Sequence, residues 1–111
     1  MMRRLVRAAI QNATVTSGDS STLRIDPVIL TAANILVLEE VEIVHHATGA
    51  RVTTFAEAGA SGEVHAPGMR AGDVISIVSW GLMHDGQTLG HEATIVSLDG
   101  SNAVVAITRQ R

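Results

Sequence analysis

Ile25-Asp26-Pro27-Val28-Ile29-Leu30-Thr31-Ala32-Ala33-Asn34-Ile35-Leu36 is the stretch on which the fold assignment turns, because it carries a helical period inside a chain otherwise written in period two. Asp26 is a residue type that caps helix N-termini, and Pro27 suits the first helical position. Ile29, Ala32, Ala33 and Leu36 then fall at i, i+3, i+4 and i+7, which predicts one amphipathic helix over 27–36. On either side the pattern changes. Ala13–Thr16, Val41–His45, Arg51–Phe55, Val74–Trp80, Ala93–Leu98 and Ala103–Thr108 read as strands of about 4–7 residues, alternating or β-branched. Turn chemistry separates them at Ser17-Gly18-Asp19, Thr48-Gly49, Ala58–Gly62, Pro67-Gly68, Asp85-Gly86 and Asp99–Asn102. Many short strands and an early helix predict a mainly β fold, a small β-barrel with one or two short helices.

Composition narrows what such a barrel can do. The 111 residues suffice for one domain, 1–111, with a core of its own. Apolar residues make up 46% of the chain, yet Phe55 and Trp80 are its only aromatics, so the core must be Val, Ile, Leu and Ala. Base-stacking platforms need aromatic rings, and a net charge of -3 offers no cationic footprint, so nucleic acid is excluded as a partner. Arg3, Arg4 and Arg7 form the one cationic cluster and read as a solvated terminus. With no cysteine there is neither a disulfide framework nor a thiolate site. The apolar run Ala8-Ala9-Ile10 is far shorter than the ~7–15 residues of a signal-peptide core, and no stretch approaches the ~20 residues of a membrane span. The expectation is a cytoplasmic protein with no membrane partner.

Chemistry-bearing residues are few. His45 and His46 are adjacent and would point to opposite faces of a strand, while His65, His84 and His91 are scattered over predicted loops, so no metal site is expected. No glycine pattern spells a phosphate loop, and Ser79-Trp80-Gly81 is not a nucleophile elbow. The run Ser20-Ser21-Thr22 stands out. A hydroxyl in a tight loop before a strand can attack the carbonyl preceding it; elimination then cleaves the chain and leaves an α-keto acyl group, electrophilic toward a substrate amine. Taken alone, the run also reads as a polar turn whose hydroxyls satisfy nearby backbone groups.

The order of segments is more telling than any one of them. Ala13-Thr14-Val15-Thr16, Ile25-Asp26 leading into the helix, Val41-Glu42-Ile43-Val44, Thr48-Gly49-Ala50-Arg51, Ala71-Gly72-Asp73-Val74-Ile75 and Met83 together resemble the aspartate 1-decarboxylase family, from about Arg3 to about residue 107. The resemblance implies a tetrameric double-psi β-barrel that cleaves itself at a Gly-Ser bond and uses the resulting pyruvoyl group to convert aspartate to β-alanine. It sets Ser21-Thr22 at the cleaved pair, so that the nucleophile would be Thr22 and its product an oxobutanoyl group. Threonine's extra methyl restricts χ1, and Ser21 lacks glycine's backbone freedom. The family's lysine and histidine of the first strand fall on Ala9 and Gln11, and its proton-donating tyrosine falls on Phe55. The pocket segment is shortened to Pro67-Gly68-Met69. Arg51, which in the family clamps a substrate carboxylate, and Thr54, which assists self-cleavage, are retained.

On a strand over 51–57, Arg51, Thr53, Phe55 and Glu57 share one face, and under the resemblance that face lines the pocket near a subunit boundary. Glu57 would add a carboxylate able to act as general acid or base, and His65 is a second candidate. The joint loss of glycine, lysine and tyrosine points to a diverged member, unprocessed and without a cofactor. Such a protein would act on a small carboxylated or enolisable molecule through Arg51 and general acid/base catalysis, as a decarboxylase, lyase or cyclase. Two other readings stay open: a self-cleaving amino-acid decarboxylase using Thr22 or Ser21, and a non-catalytic barrel with an assembly or regulatory role. A homo-oligomer, by resemblance a tetramer, is expected.

Overall fold

The computed structural model describes residues Met1–Arg111 and contains the eight strands and one α-helix of a mainly β protein. The helix α1, Pro27–Ala33, starts as its sequence predicts: the Asp26 carboxylate accepts the Val28 N–H at 2.9 Å and Pro27 occupies the first turn. It ends earlier than its apolar spacing predicts. Asn34 turns left-handed at φ 54°, its N–H reaches the Thr31 carbonyl at 3.1 Å, and the Ile35 N–H returns to Leu30 at 2.9 Å. That reversal is a local C-terminal stop of the αL kind. Leu36, expected on the apolar face, is therefore off the helix and exposed.

The strands are β1 (Met2–Thr14), β2 (Leu23–Ile25), β3 (Glu40–His45), β4 (Arg51–Ala58), β5 (Val64–His65), β6 (Val74–His84), β7 (Ala93–Leu98) and β8 (Val104–Gln110). A single 3-10 turn, Asp85–Gln87, follows β6. The hydrogen-bonded order is β5-β2-β4-β3-β6-β1-β7-β8, with β2–β4 and β1–β7 parallel and the remaining pairs antiparallel. The sheet curls until the chain continuing β1 meets the far edge. Thr16 N–H donates to the Val64 carbonyl at 2.8 Å, Ala66 N–H to the Ser17 carbonyl at 3.1 Å, and Ser17 bridges His65. One continuous segment thus pairs with β6 at one side and β5 at the other, which closes six strands into a small barrel and abolishes their free edges. β7 and β8 form a hairpin laid on the outside of that ring through β1.

Two departures from the sequence reading concern length. β1 runs 13 residues rather than the four of Ala13–Thr16, and β6 extends to 11. Residues 2–10, whose sequence reads as a solvated basic terminus, are strand because β6 pairs with them from Met2↔His84 to Ile10↔Ile77. Their arginines are matched across the sheet: Arg3 bonds Asp85 at 2.6 Å and Arg4 stacks over the Trp80 ring at 4.1 Å. The hydrophobic core of the barrel is aliphatic, with Ser79 as a fully buried polar side chain on the same face of β6 as Ile75 and Ile77. Ile10, Leu23, Ile25, Ile43, Ile75, Ile77 and Val96 are fully buried, and the core contains no aromatic ring. α1 packs on β1, β7 and β8, delivering Ile29, Leu30 and Ala33 to the same cluster. No helix is long and apolar enough to cross a membrane.

Candidate active site

The parallel β2–β4 register pairs Leu23 with Ala56 and Arg24 with Glu57. Continued backwards, it sets Thr22 beside Phe55 and Ser21 beside Thr54, so the loop entering β2 lies against the middle of β4. The hydroxyl chemistry of the loop is drawn into this seam. Thr54 Oγ1 donates to the Ser21 carbonyl at 3.2 Å, and Thr22 Oγ1 donates to Glu57 Oε2 at 3.0 Å. Thr22 has one hydroxyl proton and spends it on Glu57, so at 3.2 Å it is Ser20 Oγ that donates to Thr22 Oγ1. Ser20 Oγ also accepts the Thr22 N–H at 3.1 Å. Thr22 is buried and Ser21 exposed. The Ser21–Thr22 peptide therefore has its carbonyl oxygen, amide hydrogen and following hydroxyl each held by a neighbour.

Glu57 is half-buried and forms no ion pair, although Arg24 stands opposite it in the register. The Arg24 guanidinium turns instead toward Glu63, at 3.8 Å. His65, expected in a loop, lies in β5, paired with Arg24 and 3.8 Å from Glu63. Arg24 separates His65 from Glu57, so two strand spacings of about 4.8 Å each keep those two candidate bases apart. Arg51 sits at the other end of β4, six residues from Glu57 and so about 20 Å along the strand. It is largely exposed and holds Glu42 at 2.7 Å. Phe55 is partly exposed beside Thr22. One chain thus gathers Ser21, Thr22, Thr54, Phe55 and Glu57, and leaves Arg51 and His65 outside that group.

The expected pocket segment Pro67-Gly68-Met69 lines a different cavity, of about 430 Å³, together with His45, Arg70 and Asp73. His45 is pinned there. Its Nδ1 accepts the Thr48 N–H at 3.2 Å, a contact that sets the neutral tautomer with its proton on Nε2, and Nε2 faces Asp73 Oδ2 at 3.1 Å. A backbone N–H from Arg70 holds the Asp73 carboxyl below the usual range against the opposing pull of burial, and His45 adds to the lowering. His46 points elsewhere, to Ser76 Oγ at 2.7 Å.

A further polar cluster has no counterpart in the sequence reading. Arg7, Glu39 and Ser79 meet where β1, β6 and the chain entering β3 converge: the Arg7 guanidinium and the Ser79 hydroxyl both donate to Glu39 Oε2. Arg7 also donates to the Asn34 carbonyl at 2.8 Å, and the Leu36 N–H reaches Glu39 Oε1 at 3.2 Å. Burial pushes the Glu39 carboxyl up, but the hydrogen bonds from Ser79, Arg7 and Leu36, with the charge of Arg7, outweigh it and hold the group below its ordinary value. Nothing in the local sequence announces this cluster, since its members lie 32 and 72 positions from Arg7.

Over residues 1–105 the sequence matches the aspartate decarboxylase family. The chain belongs to that family. It is 31% identical to the aspartate 1-decarboxylase of Moorella thermoacetica over 98% of this chain and 93% of that protein. It is 33% identical to the aspartate 1-decarboxylase of Listeria monocytogenes and 32% identical to that of Listeria innocua, in each case over 96% of this chain and 92% of the relative.

Proposed function

We propose that this chain is a decarboxylase-type lyase for a small carboxylated amine, and that its electrophile is an α-keto acyl group made from Thr22 by cleavage of its own Ser21–Thr22 bond. The observation that carries this reading is the convergence on one peptide of a hydroxyl donor at the Ser21 carbonyl and a carboxylate at the Thr22 hydroxyl. A polar turn would need neither. Family membership supports it as well, because aspartate decarboxylases ordinarily work through a pyruvoyl group. When formed, the α-keto carbonyl supplies an electron sink for loss of carbon dioxide from a bound amine.

The chain's own residues have separable tasks in this reading. Arg51 presents a planar two-pronged donor that suits a carboxylate, and it must exchange Glu42 for substrate. Phe55 cannot hand over a proton, so the proton needed after decarboxylation comes from Glu57, two residues along the same face of β4. Because Arg51 is about 20 Å from Glu57 in one chain, a neighbouring copy completes the site, in keeping with a homo-oligomer. The test is the intact mass of purified protein. Two fragments, Met1–Ser21 and Thr22–Arg111, the second trapped by a hydrazine reagent, are expected, with carbon dioxide released from aspartate or another small amino acid. A chain that stays whole and untrapped refutes it.

One set of residues favours a second reading. Ser21 in place of glycine, with Ala9, Gln11 and Phe55 at the family's polar positions, suits an unprocessed, cofactor-free enzyme acting on a carboxylated or enolisable molecule. Arg51 would bind the substrate, and Glu57 with His65 would serve as acid and base. An unbroken chain whose turnover is lost in both Arg51→Ala and Glu57→Gln is its signature.

A further inference from the structure

We infer that Glu57 is the general base of the self-cleavage step, a role that rests on the processed reading above and adds a catalytic group to it. The geometry points to this role in three ways. First, Glu57 Oε2 lies 3.0 Å from Thr22 Oγ1 and receives its proton, the contact a base needs before an O–H can attack. Second, the carboxylate forms no ion pair: Arg24, its register partner, is engaged with Glu63, so no guanidinium competes with Thr22 for the Glu57 oxygens. Third, the neighbouring hydroxyls are oriented for the same event. Thr54 holds the Ser21 carbonyl oxygen, where negative charge develops, and Ser20 donates to Thr22 Oγ1 while accepting the amide hydrogen of the bond that breaks.

The step balances as follows. Glu57 takes the Thr22 hydroxyl proton, Oγ1 bonds to the Ser21 carbonyl carbon, and the oxygen of that carbonyl carries the charge against Thr54. Collapse breaks the C–N bond, and the proton on Glu57 passes to the departing Thr22 nitrogen, leaving an ester and a free amine. Removal of the Thr22 Cα proton then breaks the Cβ–Oγ1 bond and releases the Ser21 carboxylate. The dehydrated amine tautomerises to an imine, and water hydrolyses it to ammonia and a 2-oxobutanoyl end. Threonine at the nucleophile and serine before it make the first bond formation harder than a Gly-Ser pair would, and Glu57 lowers that barrier.

The experiment follows cleavage of the full-length chain by intact mass, and needs no substrate. Wild type is expected to yield Met1–Ser21 and a Thr22–Arg111 fragment whose first residue carries the 2-oxobutanoyl end in place of its amine. Glu57→Gln, isosteric and unable to accept the proton, should slow cleavage by about 100-fold or more. Glu57→Asp should fall between the two, and Thr22→Ala should not cleave. Thermal unfolding checks that Glu57→Gln is folded; if it is not, Glu57→Asp decides, and a wild-type rate in that variant overturns the proposal. Cleavage of folded Glu57→Gln within about threefold of wild type also overturns it, while leaving the processed reading standing. If wild type itself never cleaves, the processed reading fails and the role of Glu57 falls with it.

Discussion

Replacing Glu39 by glutamine tests how much of the barrel's stability hangs on one half-buried carboxylate. The Glu39→Gln side chain would keep the volume and one acceptor, but Arg7 would lose its counter-charge while remaining tied to the Asn34 carbonyl, and fully buried Ser79 would lose its charged acceptor. Breaking a buried pair from one side costs about 3–5 kcal/mol, whereas exposed pairs are worth about 0–1. The Arg7 and Glu39 side chains are 29% and 23% exposed, so the expected loss lies between these, at about 2 kcal/mol. For a domain of this size that lowers Tm by roughly 10 °C. The pH dependence has a definite sign. Because folding depresses the Glu39 carboxyl below its ordinary 4.5, its contribution is complete above that value and is lost as pH falls through the folded one. Glu39→Gln should therefore unfold earlier at neutral pH and show a flatter acid limb. Urea titrations of wild type, Glu39→Gln, Arg7→Met and the double variant, at one protein concentration from about pH 3 to 7, measure both effects. A loss under about 0.5 kcal/mol with an unchanged acid limb would refute the reasoning, since the cluster would then behave as a surface pair.

Three further outcomes follow from single positions. Asn102 is buried, adopts φ 63°, and bonds the Thr14 N–H at 2.8 Å, the Thr14 carbonyl at 2.9 Å and the Gly62 carbonyl at 3.2 Å. Asn102→Ala should cost about 3 kcal/mol in urea unfolding, from stranded partners and left-handed strain. Gly18→Ala would place a Cβ 1.8 Å from the Met69 carbonyl oxygen, so the variant should displace the 67–70 turn or fail to fold, as circular dichroism and amide exchange would report. Long-range nitrogen correlation spectra should find the proton of neutral His45 on Nε2, and a neutral ring protonated on Nδ1 would contradict the Thr48 contact.

Much of the architecture is legible along the chain because its determinants are local. Alternation names β3, β4, β6 and β7, the Asp26-Pro27 pair names the helix start, and the scarcity of aromatics implies an aliphatic core. The hydroxyl run Ser20-Ser21-Thr22 stands out in the sequence, but not the Thr54 and Glu57 side chains that it meets. The helix end is not legible, because apolar spacing continues to Leu36 while the left-handed turn at Asn34 has already stopped the hydrogen bonding. What sequence alone could not decide is which distant groups meet. Residues 2–10 are strand because β6 pairs with them along their length and β7 with Ala8–Ile10, and β2 and β5 are too short to carry a periodic signal of their own. Glu57 reaches Thr22 across 35 positions and Arg7 reaches Ser79 across 72. Caps, turns and alternation act over a few bonds and leave their mark in the residues themselves. A carboxylate becomes a partner for a hydroxyl or a guanidinium only after the barrel closes and brings their strands within a hydrogen bond, and that closure is a property of the tertiary structure.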